Sequence, residues 1–200
     1  MRVKTEARRQ AILDAAAEAF RERGFDAASM ADVAARVGGS KATLYNYFPS
    51  KEELFVAVML RAARAQAAPI FDTFRAAPDL RPALLAFGRA YLPFVLSPEV
   101  LAIVRMCAAD GERTGVGRIV QEHGVKVAWT QVAERLQQAM DKGVLRQADP
   151  WQAAVHLKAL LEAGLVDRRI KGCSIEPRPE EIETAVVNGV DIFLRGYGVV

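Results

Sequence analysis

SMADVAARVGGSKATLYNYFPSKEELF, residues 29–55, holds two short helical patterns separated by a pair of glycines. Ser29 is placed to cap the first, with Asp32 three positions on completing a capping box through a shorter side chain. Met30, Val33, Ala34 and Val37 form its buried stripe. Gly38 and Gly39 interrupt the pattern, and a tight helix-helix turn requires at least one of them at φ > 0. Ser40 restarts a very short helix ending at about Tyr47, in which only Leu44 and Phe48 stand i, i+4 for burial. Pro49 and Ser50 follow, and Ser50 with Glu53 forms a second capping box for a long helix reaching about Ala67.

A capped helix, a glycine turn and a short helix with a polar outer face describe a helix-turn-helix, whose second helix enters the DNA major groove. At about 100° per residue, turning Leu44 and Phe48 inward puts Ala42 and Asn46 opposite them, with Thr43 and Tyr45 on the flanks. Ala42 and the Thr43 methyl suit a thymine methyl, Asn46 an adenine edge, and Tyr45 a base or a phosphate. Lys41 starts this helix, and Tyr47 and Lys51 flank it. Lys51 sits in the first turn of the next helix, where a cation opposes the macrodipole and an anion would relieve the conflict.

Outward from this core, a helix over about Thr5–Arg23 precedes it, with Ile12, Ala16, Ala19 and Phe20 inward and Gly24 as its stop. Residues 1–51 carry nine basic and six acidic side chains, and the first ten residues alone reach +3. A basic arm of this kind can contact phosphates or the minor groove. Downstream, apolar residues recur at threes and fours, giving helices at about 69–76, 80–96, 98–109, 116–142 (breaking near Gly124), 150–170 and 179–195. No strand alternation competes, so the fold is all-α, divided into a DNA-binding domain over 1–52 and a helical domain over 53–200.

Composition removes several classes of function. The chain has 27 Lys and Arg against 24 Asp and Glu, a net charge of +3 that permits an anionic partner without demanding one. The longest charge-free runs, Ala42–Ser50 and Ala90–Pro98, are too short to span a bilayer, and Asp14 and Glu18 spoil a signal peptide. A cytoplasmic protein with no membrane partner is expected. Cys107 and Cys173 lack metal spacing and read as reduced, buried thiols, and His123 and His156 lack metal spacing too. Gly115-x-Gly117 is followed by Val120 where a nucleotide loop needs its third glycine. With no nucleophile-base pair, carboxylate dyad or metal cluster in recognisable spacing, neither an enzyme nor a cofactor is expected.

The run Ala11–Phe55, above all residues 29–55, resembles the DNA-binding domain of the TetR family of bacterial transcriptional regulators. The capped helix, glycine turn, S-K-A-T-L-Y core, Tyr47-Phe48 pair and P-S-K-E-E-L-F continuation occur in register. The resemblance implies that Thr43 and Tyr45 contact DNA, that Ser29, Tyr47 and Lys51 contact phosphates, and that Lys41, Ala42 and Asn46 help set operator sequence. Gly39 departs from the family, which usually places a small hydrophobic residue such as valine there. YLPFVLSPEVLAIVRM, residues 91–106, is similar to an AefR-like subgroup.

The same resemblance assigns effector binding and dimerisation to the larger half. Phe71, Phe74, Phe87, Tyr91, Phe94, Met106 and Trp129 are candidates to line an apolar cavity, although helical spacing also explains them as core. Trp151, Val155, Gly164, Ile182, Val186, Gly189 and Phe193 supply apolar stripes, with glycines for close crossing, on two helices that fit a dimer face. Implied is a homodimeric repressor on a palindromic operator, released by a small, partly apolar molecule. The rival readings are a DNA-binding protein without an inducer and a helical enzyme that merely resembles the motif.

Overall fold

Thr5 opens the first helix: its hydroxyl accepts the backbone N–H of Arg8 at 3.3 Å, satisfying a donor that the first turn leaves free. In this computed structural model, which describes residues 5–173 and 176–199, that helix is α1, Glu6–Ala27, bent where Gly24 adopts φ 74°. α2 (Met30–Val37), α3 (Lys41–Tyr47) and α4 (Lys51–Ala76) follow, then α5 (Leu80–Val95), α6 (Pro98–Thr114) and α7 (Val116–Val120). A π turn over Gln121–Val125 leads into α8 (Lys126–Asp141), and α9 (Pro150–Glu162), α10 (Leu165–Ile170) and α11 (Pro179–Tyr197) complete the chain. Among the described residues the only extended pairing is an isolated bridge between Leu145 and Gly198, so the fold is all-helical.

The chain forms two compact units, Met1–Ala62 with Met106–Gln121, and Ala63–Arg105 with Glu122–Val200. In the first, Ile12, Leu13 and Ala16 of α1 close over Val33 and Ala34 of α2, Leu44 and Phe48 at α3, and Leu54 of α4. A smaller apolar cluster joins Val56, Leu60 and Val116, covered by Met106, Cys107, Ile119 and Val120. The second unit is built on α5, α8, α9 and α11, with Leu84, Leu92, Leu136, Leu157, Leu161, Val190 and Phe193 fully out of solvent.

Two elements differ from the sequence reading. The helices expected over 50–67 and 69–76 are one helix, α4, with Pro69 inside it. Proline removes one backbone bond and crowds the carbonyl four residues back, but Pro69 and Ala65 are both exposed, so water can serve that carbonyl. Ala67, Phe71 and Phe74 meanwhile bury one continuous face across the proline. Conversely, the helix expected over 150–170 breaks into α9 and α10 because Gly164 takes φ 76°. α4 has the length and composition of a membrane span, but Arg61 and Arg64 interrupt it. Its apolar residues Leu54, Val56, Leu60, Phe71 and Phe74 are buried against protein. Cys107 is half-buried, and burial pushes its thiol pKa up, whereas Cys173 is exposed rather than buried as expected.

Candidate nucleic-acid interface

The turn before α3 is held from both sides. Gly38 adopts φ 67°, which only glycine takes without strain. Its N–H and that of Gly39 return to the last carbonyls of α2, with Gly39 reaching Ala34 O at 3.0 Å. Ser40 then caps α3, its hydroxyl accepting the Thr43 N–H at 3.1 Å. Leu44 and Phe48 are buried, which fixes the rotation of the helix. Lys41, Ala42, Tyr45 and Asn46 are exposed as a result, Tyr45 at 46% being one of the few exposed large hydrophobic side chains among the described residues. Thr43 is half-buried, its hydroxyl 3.0 Å from that of Ser40. A rigid short helix thus presents a compact polar face, the arrangement that base-edge reading needs.

The flanking residues are more occupied. The Tyr47 hydroxyl accepts the Thr5 N–H at 3.0 Å, tying α3 to the start of α1 while leaving its own proton free to donate. The Ser29 hydroxyl accepts the Asp32 N–H at 3.2 Å and donates to the Asp32 carboxylate at 2.8 Å, so its proton is committed to the capping box. These bonds hold the Asp32 carboxyl below the ordinary range, assisted by Arg23 at 3.2 Å. Lys51 opens α4, as its sequence position implied, and its side chain turns back onto the end of α1. Its ammonium donates to the carbonyls of Phe25, Asp26 and Ala28 at 2.8, 3.2 and 3.2 Å and lies 4.3 Å from the Phe25 ring centroid. The three donors of the ammonium are thereby directed at backbone carbonyls of the α1–α2 turn. The conflict with the helix dipole is offset by Glu52 and Glu53 in the same turn.

Several acidic groups of this unit are drawn into ion pairs. Arg36 binds Glu22 and lies 3.8 Å from Glu18, and the Arg36 guanidinium lowers the Glu22 pKa. Arg61 binds Asp14 at 2.7 Å. Of the expected basic arm, Arg2 and Lys4 lie outside the described residues. Arg9 stands 5.2 Å over the Phe48 ring, and Arg8 reaches the turn before α3.

In the second unit the seven expected effector residues separate. Phe71, Phe87, Tyr91 and Trp129 pack edge-to-face or stacked, with centroids 5.2 to 6.4 Å apart, as a closed aromatic core. The Tyr91 hydroxyl bonds Glu162, whose other oxygen binds Lys158 at 2.6 Å; burial and this carboxylate together push the phenol well above its ordinary pKa. Glu162 escaped the sequence reading because it lies 71 positions from Tyr91. Phe74 and Phe87 border an apolar cleft of about 270 Å³ between α4 and α5, with Ile70, Ala83, Ala86 and Ala90. Phe94 is half-buried, and Met106 belongs to the apolar cluster of the first unit. The expected dimer stripe divides as well. Val186, Gly189 and Phe193 face the core of the single chain, a correction whose cause is that α11 buries this side against α5 and α9. Gly164 makes a turn rather than a crossing, having nothing within 4 Å of an added Cβ. Trp151, Val155 and Ile182 remain half-exposed, and Ile192, not named from sequence, is 54% exposed.

This architecture has known counterparts. Residues 12–58 match the family of bacterial regulatory proteins named for TetR, and residues 82–199 match the AefR-like transcriptional repressor C-terminal domain. The chain belongs to the TetR family of bacterial transcriptional regulators. The TetR-family fold extends over 98% of this chain and 100% of a TetR-family regulator from Mesorhizobium loti MAFF303099, at 28% identity and TM-score 0.76. The flavonoid-responsive regulator FrrA is similar over 97% of this chain and 98% of its own, at 30% identity and TM-score 0.70. Among curated relatives, the HTH-type transcriptional activator FasR of Mycolicibacterium smegmatis is 37% identical over 94 residues, 47% of this chain and 43% of FasR. The chain thus spans less than half the length of that curated relative. These counterparts are transcriptional regulators, not enzymes.

Proposed function

We propose that the chain is a sequence-specific DNA-binding regulator that acts as a homodimeric repressor and leaves a palindromic operator when a small, partly apolar molecule binds its C-terminal half. The observation that carries the reading is the exposed face of α3, where Lys41, Ala42, Tyr45 and Asn46 project from a helix fixed by buried Leu44 and Phe48. Repression is favoured because the repressor-type C-terminal domain matches across residues 82–199, whereas the activator FasR is similar over 94 residues only. Effector control draws support from the flavonoid-responsive relative and from the apolar cleft beside Phe74 and Phe87. Trp151, Val155, Ile182 and Ile192 supply outward apolar surface for a second copy. Ligand release then follows from differential affinity for two conformations, only one of which matches the half-site spacing.

The test is selection of binding sequences from random duplex DNA, followed by affinity measurement on the enriched site at controlled salt. A palindromic site bound far more tightly than random DNA is the expected result and supplies the probe for an effector screen. Weak, salt-sensitive binding without enrichment would overturn the reading. A regulator without an inducer is the second reading, and an affinity that no small molecule alters would favour it.

A further inference from the structure

Gly38 and Gly39 are glycine for different reasons. The backbone of Gly38 is left-handed, but Gly39 has no positive φ, so its conformation does not require glycine. What fills the space is a side chain from elsewhere: a Cβ on Gly39 would stand 2.6 Å from Nη2 of Arg8, the far end of that side chain. Arg8 leaves the first turn of α1, is half-buried, and donates from Nη2 to Gly38 O at 3.4 Å. That bond is long and uses one donor of a guanidinium that carries several. Among the described residues no carboxylate lies within ion-pair distance of Arg8, although Arg23, Arg36 and Arg61 of the same unit all have one. Arg8 shares a small cleft with Gly39, Ser40 and Thr43, which puts its charge beside the polar face of α3.

We propose that Arg8 is a DNA-phosphate contact held against the turn, and that Gly39 is a positioning residue whose missing side chain gives the guanidinium its seat. The proposal rests on the DNA-binding reading above and adds a residue to it. An unpaired cation beside a groove-reading helix gains by neutralising a phosphate and releasing its counterion. An arginine that only stapled the turn would need no charge for the purpose. Gly39→Ala meets no backbone strain and displaces only the tip of a flexible side chain, so it moves the guanidinium while leaving the fold intact.

The test is fluorescence anisotropy on the operator enriched from random DNA, as a function of salt, with thermal unfolding of each variant alongside. Arg8→Gln, which keeps a polar side chain at this position but removes the charge, is expected to bind about tenfold more weakly at fixed salt. Its salt slope should shrink by about 0.9, one phosphate's share. Gly39→Ala should weaken binding in the same sense, and the loss should vanish in an Arg8→Gln background. A wild-type slope for Arg8→Gln, or an equal Gly39→Ala effect in both backgrounds, overturns the proposal even when the wild type binds its site tightly. Failure of the wild type to enrich any site overturns the DNA-binding reading itself, and this inference with it.

Discussion

Lys51 is bound to Phe25 twice over: its ammonium donates to the Phe25 carbonyl at 2.8 Å and lies 4.3 Å from the centroid of the Phe25 ring. The start of α4 is thereby fastened to the end of α1, where Gly24 has already turned the chain. Lys51→Ala is expected to lower the stability of the protein by about 1–2 kcal/mol, through lost charge-assisted bonds and cation–π contact. The slope of log affinity against log salt should stay at the wild-type value, because the ammonium is engaged by three backbone carbonyls. Chemical denaturation and a salt titration check the two halves separately. A slope reduced by about 0.9 with unchanged stability would return Lys51 to the phosphate role.

Tyr45 behaves in the opposite way. Exposed at 46% on a helix whose burial is carried by Leu44 and Phe48, it contributes little to the fold. Tyr45→Ala should leave thermal unfolding and dimerisation unchanged and weaken specific binding by at least about 1 kcal/mol. The comparison is the ratio of enriched-site to random-DNA affinity for wild type and variant. An unaltered ratio would remove Tyr45 from the reading face.

Much of this site was legible because its determinants are local. Ser29 and Asp32, Ser40 and Thr43, and the left-handed Gly38 all act within four residues, the range over which capping and turn chemistry operate. The tether of Lys51 was not legible because its acceptors are backbone carbonyls 23 to 26 positions away, which no side-chain pattern announces. In the C-terminal half, an apolar stripe such as Ile182, Val186, Gly189 and Phe193 tells that a helix packs but not against what. Burial assigns Val186, Gly189 and Phe193 to the chain's own core and leaves Ile192 outward. The break at Gly164 was hidden for a related reason, since a glycine inside a helical pattern serves a close crossing or a left-handed turn equally well.

The capping box at α2 carries a pH dependence. Bonds from Ser29 hold the folded-state pKa of Asp32 below its ordinary value. For a depressed acid, the stabilisation is present above the unfolded-state pKa and is lost as pH falls through the folded-state one. Ser29→Ala should therefore return the Asp32 pKa toward its ordinary value, as read by carboxyl chemical shifts in an NMR titration. The stability gap between wild type and Ser29→Ala should narrow as the pH drops below about 4. An Asp32 titration identical in the two proteins would show that the Ser29 hydroxyl does not set this pKa.

Gly189 gives the sharpest packing prediction, because its neighbour is backbone. A Cβ there would stand 3.1 Å from Leu160 O and 3.2 Å from Leu160 C, at the crossing of α11 over α9. A backbone carbonyl cannot turn aside as a side-chain tip can, so α9 and α11 must give by a few tenths of an ångström. Gly189→Ala adds helix propensity of about 1 kcal/mol in its favour, yet overpacking a buried crossing costs about 1–3 kcal/mol. The net expectation is a less stable protein, the reverse of what the same change gives at an exposed helical site. Gly196→Ala is the control, since it lies in the same helix, is exposed and has nothing within 4 Å of an added Cβ. Denaturant midpoints at matched protein concentration, needed because assembly shifts apparent stability, should fall for Gly189→Ala and hold or rise for Gly196→Ala. Equal gains at both positions would mean that α9 and α11 yield readily at this crossing.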